Sequence, residues 1–143
     1  MAVIYILEEV IENLKTEEGF SRSVYTDTLG YETIGYGRNI STTGPGITEA
    51  EAEHLLENDV ETTILELDRS FDWFKNKPRD VQHVMIEMCF QLGLSQFLRF
   101  RQMISALSES NYSEAAKEIE NSKYYRQVPA RAKRYIKLSL INI

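Results

Sequence analysis

The chain has one cysteine, Cys89, in 143 residues, so no internal disulfide can brace it. Cys89 lies among Met85, Met88 and Phe90, where a thiol serves as a small hydrophobe, and this cysteine usage points to synthesis in the cytosol. Three prolines and seven glycines are too few for a collagen-like or low-complexity chain. No apolar run approaches the roughly 20 residues of a membrane span, which argues against stable membrane insertion. The opening MAVIYILEEVIENLK starts apolar, but Glu8, Glu9 and Glu12 interrupt it too early for a secretory signal, and it reads as helix. The two histidines, His54 and His83, stand alone without metal-ligand spacing, so neither a metal nor a cofactor is expected.

What is present suits one globular domain spanning 1–143. Hydrophobic residues make up 43% and aromatics 10%, enough for a real core at this length. The net charge of −6 is unevenly spread. Residues 1–68 carry 15 acids and 3 bases, whereas residues 122–143 carry 6 bases and no acid. A dipolar domain and a basic tail for an anionic surface both fit that distribution. The tail PARAKRYIKLSLINI (129–143) mixes cations with apolar residues and so also admits action at a membrane surface.

Val3, Ile6, Leu7, Val10, Ile11 and Leu14 recur at helical steps, predicting a helix that ends at Gly19. In 24–36, VYTDTLGYETIGY, β-branched and aromatic residues dominate, and Leu29-Gly30 predicts the turn of a hairpin. Residues 38–47 read as a loop, and Thr48-Glu49-Ala50-Glu51 as a capping box that starts a helix through about Leu67. Pro78 and Gly93 bracket a helix with apolar residues on several sides, the expected buried centre. Shorter helices are expected at about 97–108, 113–121 with Ser113 as N-cap, and 129–138. Trp73, with Phe71 and Phe74, reads as core. The fold class is α+β: mainly helical, with a small β-hairpin lobe at about 20–47 and a cleft between lobes.

A hairpin on a helical body leaves a groove whose rim carboxylates can act as acid and base. Glu18 ends the first helix and Asp27 stands at the hairpin turn. Glycosidic cleavage needs one protonated and one ionised carboxyl group flanking the scissile bond. From spacing alone, these two read equally as solvated helix-end and turn residues.

The wider string is more specific. Glu18-Gly19, Tyr25 through Tyr31 and Thr33-Ile34-Gly35-Tyr36-Gly37 closely resemble the signature of the phage lysozyme (endolysin) family, muramidases of glycoside hydrolase family 24. The likeness continues in order through Gly46-Ile47-Thr48, Asn58-Asp59-Val60, Phe90-Gln91-Leu92-Gly93, Ser122-Lys123-Tyr124-Tyr125 and Pro129 to Arg134. It implies a lysozyme-like fold and hydrolysis, with inversion, of the β-1,4 bond between N-acetylmuramic acid and N-acetylglucosamine in peptidoglycan. Carried over by position, Glu18 is the general acid, Asp27 the carboxylate that orients the attacking water, and Thr33 a hydroxyl that helps hold it. Gly37, Asn39, Phe90, Gln91 and Arg131 are the implied substrate-binding residues. The resemblance implies an antimicrobial, wall-lysing hydrolase of bacteriophage type, with peptidoglycan as partner and no nucleic acid. It would act as a monomer, made in the host cytoplasm and reaching the wall with a holin. A non-catalytic wall-binding or virion structural module with the same fold is the alternative.

Three departures accompany the likeness. Arg38 stands where many members have His, the loop 38–47 is short, and Tyr124 occupies a position that is often Trp. An ion pair from Arg38 to Asp59 is expected.

Overall fold

The computed structural model describes residues 2–140, with side chains from residue 6; Val3 and the last three residues of the basic tail lie outside the described side chains. Among the described residues the chain forms eight α-helices and three strands. Contacts group it into two compact units, residues 1–53 and 54–143.

In the first unit, α1 (Ala2–Glu18) ends where expected. Gly19 takes a left-handed φ of 70° while its N–H donates to the Lys15 carbonyl at 3.1 Å. A side chain there would clash with its own backbone, so glycine is the natural stop. The sheet is antiparallel, ordered β1 (Ser21–Thr26), β2 (Glu32–Gly35), β3 (Arg38–Asn39). Tyr25 pairs with Thr33 and Thr33 with Asn39, so Thr33 sits on the middle strand; an irregularity between Ser21 and Tyr25 marks a bulge in β1. The third strand corrects the loop expected over 38–47. Ser, Thr, Gly and Pro dominate that stretch and conceal that Arg38 and Asn39 still pair with Ile34 and Thr33. Thr48 and Glu51 form the capping box as read: the Glu51 N–H donates to Thr48 Oγ1 at 3.1 Å, and the Thr48 N–H to Glu51 Oε1 at 3.0 Å. They open α2 (Glu49–Ser70).

The second unit is built on α3 (Arg79–Leu92), whose Val81, Val84, Met85 and Met88 are wholly buried. Pro78 precedes this helix as its N-cap, and Gly93 closes it at φ 81°. Around α3 pack α4 (Leu94–Phe97), α5 (Arg101–Ser108), α6 (Tyr112–Glu120), α7 (Lys123–Gln127) and α8 (Pro129–Leu140). Cys89 is buried, and desolvation raises its thiol pKa to about 11, so it remains an unreactive thiol. Phe74 is buried, and Phe71 and Trp73 pack on the same core, as read.

Three boundaries differ from expectation. The helix predicted over 97–108 is two, α4 and α5, broken at residues 98–100. The cap of α6 is Asn111, whose side chain accepts from the Glu114 N–H at 3.2 Å, and not Ser113, which lies inside the helix. Asn caps at least as well as Ser, and starting earlier buries Tyr112. Finally, α7 is a short helix that apolar periodicity does not announce; Ser122 caps it by accepting from the Tyr125 N–H.

Candidate active site

Five of the candidate residues lie in the first unit: Glu18, Asp27, Thr33, Gly37 and Asn39. The last residue of α1, Glu18, lays its carboxyl group over Gly37, in the turn between β2 and β3. A Cβ built at Gly37 would come within 2.9 Å of Glu18 Oε2 and 3.2 Å of its Cδ. Gly37 also has φ 80°, so it is required twice, by its backbone and by the acid lying on it.

Asp27 sits at the opposite end of the hairpin and organises it. Its Oδ1 accepts the N–H of Leu29 at 2.9 Å and of Tyr31 at 2.8 Å, while its own N–H donates to the Tyr31 carbonyl. Among the described residues both side-chain bonds fall on Oδ1, which fixes the direction of the group and leaves Oδ2 for a water. The Tyr31 carbonyl also accepts the hydroxyl of Thr33 at 3.0 Å. Asp27 and Thr33 are therefore tied to one peptide unit. Thr33 is only 2% exposed, with its hydroxyl proton committed, so toward a water this oxygen can only accept.

Asn39 has a local duty. Its Oδ1 accepts from the Ser41 N–H at 2.9 Å and the Ser41 hydroxyl at 2.6 Å, and a Cβ on Gly44 would overlap its side chain. It folds the short loop back on itself.

The expected Arg38 to Asp59 pair is corrected. Arg38 grips Glu51 instead, Nη1 to Oε1 at 3.0 Å and Nη2 to Oε2 at 2.9 Å, with Nη1 also donating to the Gly46 carbonyl. The two-pronged guanidinium matches a carboxylate that the capping box already holds in place. The Arg38 bonds, followed by the cap, hold the Glu51 pKa down at about 2. Sequence reading found Glu51 as a cap and missed its second partner.

In the second unit, Gln91 meets a residue that sequence reading noted only as a departure. Tyr124, 4% exposed, donates its hydroxyl to Gln91 Oε1 at 2.6 Å. Its pKa is raised, chiefly by desolvation and by neighbouring Tyr135, while Arg131 acts on the same hydroxyl in the opposite sense. The Tyr124 and Tyr135 rings stack in nearly parallel planes. Phe90 points elsewhere, 43% exposed, toward a hollow of about 370 Å³ lined by Asp59, Glu66 and Leu94.

Comparison with known proteins decides what these residues belong to. A family model described as phage lysozyme matches residues 15–134. The chain belongs to the phage lysozyme family, and its function is of the lysozyme kind. It is 30% identical to a probable T4-type lysozyme 1 of Dictyostelium discoideum, over 92% of this chain and 93% of that protein. A probable T4-type lysozyme 2 of the same organism is 28% identical, over 86% of this chain and 88% of its own length. A pre-baseplate central spike protein, Gp5, of Enterobacteria phage T4 is 29% identical, over 86% of this chain but 26% of its own.

Proposed function

We propose that this family member is a muramidase that hydrolyses, with inversion, the β-1,4 bond between N-acetylmuramic acid and N-acetylglucosamine in peptidoglycan. The observation that carries the reading is Asp27 held through Oδ1 by two backbone donors, with Thr33 bonded to the same Tyr31, in a chain of this family that ends α1 on Glu18. Glu18 protonates the leaving glycosidic oxygen. Asp27, anchored through Oδ1 by two backbone donors, uses Oδ2 to orient and deprotonate the water that attacks the anomeric carbon. Thr33 Oγ1 accepts a hydrogen bond from the other O–H of that water, which keeps its proton and has its lone pair aimed. Gly37 leaves room for the acid. Peptidoglycan meets Gln91 and Arg131 as further binding groups, and the enzyme works as a monomer delivered from the host cytoplasm through a holin.

The test is the end group released. Purified peptidoglycan is digested, the new reducing ends are reduced with borohydride, and the products are hydrolysed. Muramitol is expected; glucosaminitol would assign the other glycosidic bond and overturn the reading. The likeness to the spike protein supports a second reading, a wall-binding virion module. That reading requires sedimentation with peptidoglycan and no new reducing ends.

A further inference from the structure

We propose that the hollow at the start of α5 is an anion site that holds a phosphodiester polymer of the bacterial wall, a second wall component besides the glycan that is cut. The inference rests on the muramidase reading and deepens it.

The hollow lies in the second unit and has a volume of about 400 Å³. Three cations line it, Arg99, Arg101 and Lys123, against one carboxylate, Glu118, which leaves an excess of two positive charges. The chain as a whole is at −6, so carboxylates are not scarce. Yet among the described residues the cations in ion pairs are Lys15, Arg38 and Arg134, and the three of the hollow form none, with Glu118 or with any other acid. Like charges gathered on one wall repel each other, and a bound anion relieves that repulsion. Two of the three are arginines, whose planar fork of donors meets two phosphate oxygens at once. The backbone favours the same ligand. Phe100 stands at the N-cap of α5 and no side chain caps the helix; its first bond runs from the Ile104 N–H to the Phe100 carbonyl at 2.9 Å. The N–H groups before Ile104 therefore have no partner within the helix. They add to the positive field, while the three side chains supply the charge that holds the ligand.

The kind of anion follows from the number of cations and from the rings beside them. A single peptide carboxylate answers one cation and leaves the other two facing each other. A polymer with a phosphate at every repeat answers them in succession. Nucleic acid is such a polymer, but its single strands are held by bases stacked on open aromatic rings. The rings at this hollow are closed to stacking: Tyr124 is 4% exposed and meets Phe100 edge-on, with planes 89° apart. What fits is a polymer with glycerol or sugar between its phosphates and no base.

The experiment uses the full chain carrying Glu18→Gln, so that binding is measured without turnover. Two preparations of one wall are compared by sedimentation: intact wall bearing poly(glycerol phosphate), and the same wall stripped of that polymer with hydrofluoric acid. Arg99→Gln with Arg101→Gln removes two charges from the hollow, and Lys133→Gln with Lys137→Gln removes two from α8; all four positions are exposed. In salt high enough to close the difference made by the lysine pair, the arginine pair should still raise Kd for intact wall about tenfold, the scale of one charge-assisted contact. On stripped wall the arginine pair and its parent should bind alike. In the active background the arginine pair should raise KM on intact wall and hydrolyse stripped wall within about twofold of the wild-type rate. Wild-type affinity in the arginine pair overturns the proposal. So does a loss no greater than that of the lysine pair, which would mean diffuse charge, or an equal loss on both walls, which would assign the cations to peptide carboxylates. Should the arginine pair fail to fold, Lys123→Gln on the two walls decides. Absence of muramitol from the wild-type digest would instead defeat the muramidase reading, while the comparison of the two walls would still report on the hollow.

Discussion

At the residue scale, the glycines beside the acid allow backbone cost to be separated from placement of Glu18. Gly35 and Gly37 have φ of 68° and 80°, so alanine at either should cost about 1–2 kcal/mol through the left-handed backbone. A Cβ at Gly35 meets nothing within 4 Å, whereas one at Gly37 runs into the Glu18 carboxyl group. Thermal melts of the two variants should therefore be similar. Peptidoglycan hydrolysis should fall at least tenfold further in Gly37→Ala; equal losses would mean that Gly37 does not place the acid. Asp27 invites a parallel substitution. Asn in its place still accepts from Leu29 and Tyr31, so Asp27→Asn should fold with its hairpin intact while losing the negative charge that orients water. A drop of about two orders of magnitude in hydrolysis is expected.

At the element scale, the start of α2 carries a pH signature. Glu51 has its pKa lowered from an ordinary 4.5 to about 2 in the folded chain, with the Arg38 hydrogen bond as the largest cause. The folded chain holds the ionised form more firmly, so the stabilisation is present above pH 4.5 and is lost as pH falls toward 2. In urea unfolding from pH 6 down to pH 2, wild type should lose stability more steeply than Glu51→Gln, and the two should converge in acid. Identical slopes would refute the clasp. The cap of α6 gives a second comparison: Asn111→Ala should cost about 1 kcal/mol and Ser113→Ala only a few tenths. These elements also show what the sequence made legible. The apolar period and Gly19 were enough to end α1, and the box Thr48 to Glu51 was enough to start α2, because both signals are local. The strand Arg38–Asn39 was hidden, since a two-residue strand is defined by its partner and not by composition. The partner of Arg38 was misread for a related reason. A guanidinium is satisfied by whichever carboxylate is already rigid, and only the fold reveals that Glu51 is. Of the candidate site, Glu18, Asp27, Thr33 and Gly37 were legible because the signature is contiguous. Tyr124 was not, because its link to Gln91 spans 33 positions.

At the scale of the whole molecule, charge governs the encounter with an anionic wall. Residues 122–143 carry all six of their charges as cations, against a net −6 for the chain. Arg134 is engaged with Glu87, so Lys133 and Lys137 are the informative positions. Replacing both with Gln should weaken sedimentation with peptidoglycan at low salt, and the difference should close as salt rises, since the screening length is about 10 Å at 0.1 M. A salt-independent loss would indicate damaged packing of α8. The central claim is that Glu18 donates the proton to the glycosidic oxygen. It is tested most directly by Glu18→Gln, which keeps the shape and removes the proton, assayed for muramitol-yielding ends released from purified peptidoglycan at matched melting temperature. The rate should fall by about two or more orders of magnitude while sedimentation with peptidoglycan is retained. Hydrolysis near the wild-type rate by the folded variant would contradict the assignment.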